Sequence, residues 1–519
     1  MILAVDLGTT VTKVVCWGHH GPLGIGRSSL STVYSGGGRA EQDPATWWPS
    51  VVYAARQALK AAEEGDHGHR VDCIVFSAAR QTFVTVDAAG FPTGPGILWS
   101  DRRAVAEAAE LAAKCGGMDI VRRETGSLLD GASPAAKLAW IGRHEGDVLH
   151  RSRWVLSPRD FVVHRMTAKF VTDSTLAQAG GLYDSSLTLV ENLVGPWARA
   201  LPRIADPWEV VGPLLPGPAA DFGIAAGVPV VVGAGDRACE VLGVGASHER
   251  AMVSWGTTAN VSVPTSYWPL SPAPGVRVSR GGLGGYLIEA GLSSAGSFLQ
   301  WLAGLGLGLG PAPGPAEEAR VANNLPGDTN VLPSGIPRLL ELASASPPGA
   351  RGVTALCWLG GARAPWWRDD AKAAFLGLGP EHEIGDLARA AVEAVAFEAR
   401  RCFGELAAAA GATFDSIAMA GGSSMPLWPD VLAGVTGLTC LRRTTGMAAA
   451  AGAALIAGRA IGATVDLDSI DPPTQAVEPD TDLVALYGRL RPVSEAAARA
   501  VLGLSGVPSS ATDAADCAK

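Results

Sequence analysis

The run Ile2-Leu3-Ala4-Val5-Asp6-Leu7-Gly8-Thr9-Thr10-Val11 decides the fold. An apolar stretch ends in an acid, turns through Gly-Thr-Thr and resumes as the apolar, β-branched Val11 to Trp17. That pattern predicts two strands joined by a tight turn. The same opening returns later: Ala251 to Trp255 reads as a strand, Gly256-Thr257-Thr258 as a turn and Ala259 to Val263 as a strand. Thr9 and Thr257 lie 248 residues apart, close to half of the 519-residue chain. Two α/β domains of related design are therefore expected, and the length alone asks for more than one core.

Between and beyond the turns, hydrophobic periodicity supplies the remaining elements. Trp47 to Glu63 and Asp101 to Lys114 read as helices, and Val71 to Phe76 as a buried strand. Phe83 to Val86 reads as a strand running into the turn Asp87 to Gly90. Val228 to Val232 is a continuous apolar run suited to a strand buried on both faces, broken by Gly233-Ala234-Gly235-Asp236. A helix near Asp386 to Ala410, a strand Ser416 to Ala420, a helix Met447 to Arg459 and a last helix over 483–503 complete the second half. The end from Pro508 is small and polar and is expected to fray.

Composition excludes several classes. Hydrophobic residues at 48% and charged residues at 18% indicate an ordered globular chain. A net charge of −9 with no basic cluster argues against nucleic acid as a partner. The eight cysteines show no C-x-x-C, so they are expected to be reduced thiols of a cytoplasmic protein. No signal peptide and no apolar run long enough for a membrane span are read. The nine histidines form no ligand set, and no P-loop motif occurs.

Four motifs carry chemistry, each with a plainer alternative. Asp6 at a strand end can organise Mg²⁺ through water, and the N–H and hydroxyl groups of Gly8, Thr9 and Thr10 can donate to a phosphate; an ordinary hairpin has the same look. Two such turns, the second at Gly256, Thr257 and Thr258, could grip one polyphosphate from opposite domains. Gly233 to Ala238 superficially fits a dinucleotide fingerprint, but the following strand ends in Trp255-Gly256-Thr257-Thr258 without the acid that a ribose requires. An acid on a glycine-lined turn, Asp236, instead suits accepting a proton from a substrate hydroxyl; a surface turn is the alternative. Gly421-Gly422-Ser423-Ser424 would let a nucleoside lie against backbone or would simply cap a helix. Trp99, Asp101, Arg102 and Arg103 offer an aromatic wall, an acid and donors for a polyol, or a solvated helix start.

In order and spacing these pieces resemble the FGGY carbohydrate kinase family, within the actin/Hsp70-type ATPase fold. The resemblance runs from about residue 1 to 460 and includes Lys13, Glu41-Gln42-Asp43-Pro44 with Trp47-Trp48, Pro158-Arg159-Asp160 through Thr172-Asp173, and Pro365 to Leu378. It implies two RNase-H-like domains, 1–246 for sugar and 247–462 for nucleotide, with a catalytic cleft between them. Residues 463–519 would add a C-terminal helix and a frayed tail. ATP and Mg²⁺ are implied, with a small sugar or polyol as acceptor, and a homodimer is compatible with the resemblance. Asp236 matches the general base and Asp6 the metal-organising acid. Gly8, Thr9, Thr10, Lys13, Gly256, Thr257 and Thr258 match the phosphate turns, and Gly421, Gly422 and Ser423 match the adenosine segment. Arg80, Gln81, Trp99, Asp101 and Arg102 match sugar-contacting positions.

Arg80 follows the glycerol-kinase-like pattern and the xylulokinase-like His is missing, so D-xylulose is not the expected best substrate and a polyol or another ketose is. Gly361-Ala362-Arg363 departs from the usual Gly-Glu-Arg, and the usual acid before the last Ala-rich helix is replaced around Gly446-Met447. Rival readings are an actin- or Hsp70-like ATPase and a catalytically silent sugar-binding relative.

Overall fold

The computed structural model describes residues 1–65, 70–269, 273–305, 335–421, 427–474 and 476–504. The first half builds on β1 (Ile2–Leu7), β2 (Val11–Gly18) and β3 (Gly21–Ser29), an antiparallel meander whose β3 lies under helix α1 (Trp47–Glu64). β4 (Cys73–Ala78) then pairs parallel with β1; β5 (Val210–Pro213), β6 (Pro229–Val231) and β7 (Ala234–Gly235) complete the sheet in the order β5-β6-β4-β1-β2-β3, with β7 beside β4. Helix α2 (Asp236–Gly243) leaves the end of β7. Every residue of β4 is buried, as expected for a central strand covered on both faces.

The second half repeats the plan. β8 (Arg250–Trp255), β9 (Ala259–Thr265), β10 (Val276–Arg280) and β11 (Tyr286–Leu292) are antiparallel neighbours in the order β10-β11-β9-β8. After helices α3 (Gly296–Gly304) and α4 (Ile384–Ala410), β12 (Ser416–Gly421) and β13 (Thr439–Leu441) extend the sheet in parallel from β8. Helix α5 (Ala448–Ile461) follows, and α6 (Thr481–Leu504) closes the described chain. The two predicted hairpins are thus the matching centres of two matching sheets.

α6 does not stand apart. Tyr487 and Ala498 are buried in the second core, and Arg389 donates to the Tyr487 hydroxyl at 2.9 Å. The tail from Pro508 lies outside the described residues. The expected helix from Asp101 begins only at Val105. The Asp101 carboxylate accepts from the Ala40 amide at 2.7 Å and from the Arg103 amide at 3.1 Å, which holds residues 101–104 as a loop against the strand Arg39–Gln42.

A third core joins the halves. Ala4, Val15 and Trp17 of the first sheet, Met252 and Ala418 of the second, and α2 and α5 between them form one apolar cluster. Here α2 crosses α5 at backbone contact. A Cβ on Gly243 would meet the Ala448 carbonyl oxygen at 1.8 Å, and one on Gly452 the Cys239 carbonyl oxygen at 1.9 Å. Only glycine allows this approach.

Candidate active site

A cleft between the two halves is lined by Thr258 of the second turn and by Trp99, the hydrogen-bonding neighbour of Thr9 in the first. It holds a cavity of about 250 Å³, lined among others by Arg80, Trp99, Asp236, Thr258, Asn260 and Arg277. Trp47 Nε1 donates to Gln42 Oε1 at 2.9 Å, and Gln42 Nε2 donates to the Thr9 carbonyl at 2.6 Å, so the Glu41-Gln42-Asp43-Pro44 segment clamps the first turn. Trp99 Nε1 donates to Thr9 Oγ1 at 3.1 Å and lays the half-exposed indole beside that turn. The second turn is backed by the start of α3: the Ala295 and Ser297 amides donate to the Thr257 carbonyl at 3.1 and 3.0 Å. Gly256 and Thr257 remain exposed.

Asp236 is the first residue of α2, on the loop that leaves β6. A buried network fixes that loop. Arg159 has no exposed surface and donates to the Val232 carbonyl at 2.5 Å, to Asp160 at 2.7 Å and to Asp173 at 2.6 Å. Asp173 in turn accepts from the Thr175 hydroxyl, and Thr175 Oγ1 accepts from the Gly235 amide at 2.8 Å. Gly233, at φ +75°, passes so near β4 that a Cβ would lie 1.9 Å from the Phe76 carbonyl oxygen. Asp236 itself stays open to the cleft, 3.4 Å from Arg80 Nε.

The conserved design of this pair of domains has a family name. The description "FGGY family of carbohydrate kinases, N-terminal domain" fits residues 1–243, and that of the family's C-terminal domain fits residues 251–461. The chain belongs to the FGGY family of carbohydrate kinases. It is 29% identical to the xylulose kinase of Escherichia coli (strain K12) over 469 residues, 88% of this chain and 89% of that one. It is also 29% identical to the glycerol kinase of Rhodospirillum rubrum over 482 residues, 89% and 90% of the two chains. The crystal structure of xylulose kinase from Rhodospirillum rubrum superposes with a TM-score of 0.83 at 26% identity, covering 97% and 99% of the two chains. The protein is accordingly an ATP-dependent sugar or polyol kinase that uses Mg²⁺, built from two domains of the actin/Hsp70 type.

The kinase's acids suit such an ion. Asp6 ends β1, accepts from the Ser77 hydroxyl at 2.9 Å and lies opposite Lys13 in the strand pair. Burial raises its pKa above the usual carboxylate value, Lys13 and Ser77 oppose the rise, and Asp236 adds to it. Glu240, one turn along α2, is likewise raised by burial, opposed by Arg237 and reinforced by Asp236 and Asp6. The cations beside these acids are Lys13, Arg80 and Arg237, and the Asp6 carboxylate at the strand end suits a water-mediated contact with Mg²⁺. Among the described residues no group of three or more His, Cys, Asp or Glu forms a closed cage.

Not every predicted residue reaches the cleft. Asp101 has no exposed surface, and its oxygens are taken by Ala40 and Arg103, so it supports the wall rather than facing a sugar. Arg103 extends the support by pairing with Glu41. Arg80 lines the cleft, but its guanidinium is bidentate to Glu289 of β11, at 2.6 and 2.8 Å. Gln81 also lines it, at φ 58°, with its carbonyl accepting from the buried Lys137 Nζ at 3.0 Å. Burial pulls the Lys137 pKa down to about 7. Arg102 faces the cleft and pairs with Asp130 at 3.3 Å. Gly421 ends β12 beside Trp255, whereas Gly422 and Ser423 lie outside the described residues.

Glu289, Arg277, Asp130, Asn260 and Lys137 were not singled out from the sequence. One signal was available for Glu289: it is the lone charge in the otherwise apolar strand Tyr286 to Leu292.

Proposed function

We propose that the kinase phosphorylates a hydroxyl of a small polyhydroxylated acceptor, with Asp236 as general base. The observation that supports this most is the placement of Asp236. It is half-exposed in a cleft lined by Thr258 of the second turn and by Trp99, which is hydrogen-bonded to Thr9 of the first, on a loop locked by Arg159, Asp173 and Thr175.

The acceptor's hydroxyl oxygen forms a bond to the γ-phosphorus as the bond from that phosphorus to the β-γ bridging oxygen breaks, and ADP leaves. The hydroxyl proton passes to the Asp236 carboxylate. Because the transition state is loose, this proton moves late and the base need not be strong. The Thr9, Thr10, Thr257 and Thr258 turns offer N–H and hydroxyl donors to the phosphates, and Gly421 borders the nucleoside end. Mg²⁺, organised through Asp6, neutralises phosphate charge when bound. Trp99 walls the acceptor, and closure of the two lobes excludes water, the competing acceptor.

Asp236→Asn is expected to lower kcat by about 100-fold or more while ATP binding persists. Near-normal turnover would remove Asp236 from the role. A cytoplasmic site of action accords with the seven cysteines of the described residues, all free and six buried. Among the described residues no helix is long and apolar enough to cross a membrane.

A further inference from the structure

The cleft carries more positive charge than neutral sugar chemistry uses. Its lining includes five arginines, at 80, 102, 237, 277 and 363, against the three carboxylates of Asp130, Asp236 and Glu289. Three of the arginines are matched: Arg80 by Glu289, Arg237 by Glu240 and Arg102 by Asp130. Arg277 and Arg363 have no carboxylate within ion-pair distance among the described residues. The nearest polar partner of Arg277 is neutral, Gln81 Oε1 at 3.5 Å. Ala362 stands beside Arg363 where the family pattern has an acid.

Both side chains are part-buried, so their charge is poorly screened. Burial pulls the two guanidinium groups below their ordinary pKa, and neighbouring arginines add to the effect, while Asp130, with Glu289 near Arg277 and Asp369 near Arg363, only partly opposes it. The Asp130 carboxyl in turn, despite burial, is held below its usual value by Arg277 and Arg102. A cluster of this kind is costly unless a negative group completes it.

ATP is poorly placed to be that group. Arg277 lies on β10, the edge strand of its sheet, two strands from β9 and the second phosphate turn. Ordinary strand spacing makes that about 10 Å. Arg363 adjoins the same edge, since the Ala364 amide donates to the Gly291 carbonyl of β11 at 3.2 Å. On the opposite wall are Arg102, Asp130 and Gln81, the side where the acceptor is read to bind.

We infer that the acceptor is a polyhydroxy acid: a short hydroxylated chain whose terminal carboxylate sits between Arg277 and Arg363 while a hydroxyl is presented to Asp236. A carboxylate fits better than a phosphate ester. Asp130 already occupies the cluster and repels a dianion more than a monoanion. Guanidinium forks match carboxylates with two parallel hydrogen bonds. In the reaction the carboxylate is unchanged; the new oxygen–phosphorus bond forms at the hydroxyl, the bond to ADP breaks and the proton passes to Asp236. The inference rests on the kinase reading above and adds the charge of the acceptor.

The test measures ADP release with Mg-ATP for matched acceptors: D-gluconate against D-glucitol, D-erythronate against erythritol, and glycerol 3-phosphate as the phosphate ester. A polyhydroxy acid is expected to exceed its neutral partner in kcat/KM by about 100-fold or more. Arg277→Gln and Arg363→Gln should each raise KM for that acid by about tenfold or more and leave KM for ATP unchanged. Calorimetric titration of the unaltered protein with each acid and its alditol gives the same comparison if a variant fails to fold. Phosphorylation of neutral polyols as good as or better than that of the acids would overturn the inference and leave the kinase reading standing. Preference for the phosphate ester would overturn it as well. ADP release that responds to no acceptor would overturn both.

Discussion

At the residue scale the site depends on Arg80 and Glu289, which bridge the two lobes. Burial pushes the Glu289 carboxyl up, but the Arg80 charge and hydrogen bonds bring it down to about 2. Removing one partner leaves the other charge buried, so Arg80→Met alone should cost about 3–5 kcal/mol in urea unfolding, and Arg80→Met with Glu289→Leu should recover much of that loss. Additive losses in the double variant would contradict the pairing. The pH dependence has a definite sign. A carboxyl with a depressed folded pKa contributes its full stability above its unfolded value of about 4.5 and loses it as pH falls toward 2. The gap between the native protein and Arg80→Met should therefore narrow as pH drops through that window. How far the sequence revealed such residues follows from their partners. Asp6, Asp236 and the threonines stand in local patterns of strand, turn and acid, and were legible. Glu289 pairs with an arginine 209 residues away, and no local pattern encodes that. Asp101 looked like a cleft acid because its motif is exposed at Trp99; its own carboxylate folds back onto Ala40.

At the element scale the main hairpins, the central parallel strand Cys73–Ala78 and the long helix Ile384–Ala410 follow from periodicity and turn chemistry. The edge strand Val276–Arg280 and its neighbour Tyr286–Leu292 were missed, and they carry Arg277 and Glu289 of the cleft lining. The close crossing of α2 and α5 was equally hidden, because small residues in an Ala-rich helix do not announce which backbone they touch. That crossing sets the axis of α2, and Asp236 is its first residue. Gly452→Ala forces a methyl against the Cys239 carbonyl and should destabilise by about 1–3 kcal/mol. It should also lower kcat more than it raises KM for ATP, because Asp236 moves while the threonine turns remain. A thermal melt and steady-state kinetics together check this; an unchanged kcat would show that α2 tolerates the displacement.

At the scale of the whole molecule, the apolar core shared by α2 and α5 joins the two halves and would serve as the pivot of any closure, while polar contacts also cross the cleft. They include the Arg80–Glu289 pair, the Val278 amide on the Gly126 carbonyl at 2.8 Å and Arg280 on the Ser185 carbonyl at 2.7 Å. Such contacts can open while the pivot stays intact, so the unliganded kinase should be wider in solution. Small-angle scattering is expected to show a smaller radius of gyration when acceptor and a non-hydrolysable nucleotide are both saturating; an unchanged radius would argue for a rigid pair of lobes. The account as a whole stands on phosphoryl transfer across that cleft. Its most direct test is ADP release from Mg-ATP across the acceptor panel, run with the native protein and with Asp236→Asn. The expected result is release that requires an acceptor, yields one phosphorylated acceptor for each ADP and falls by about 100-fold or more in the variant. Release that is indifferent to acceptor, or that survives the loss of Asp236, would contradict it.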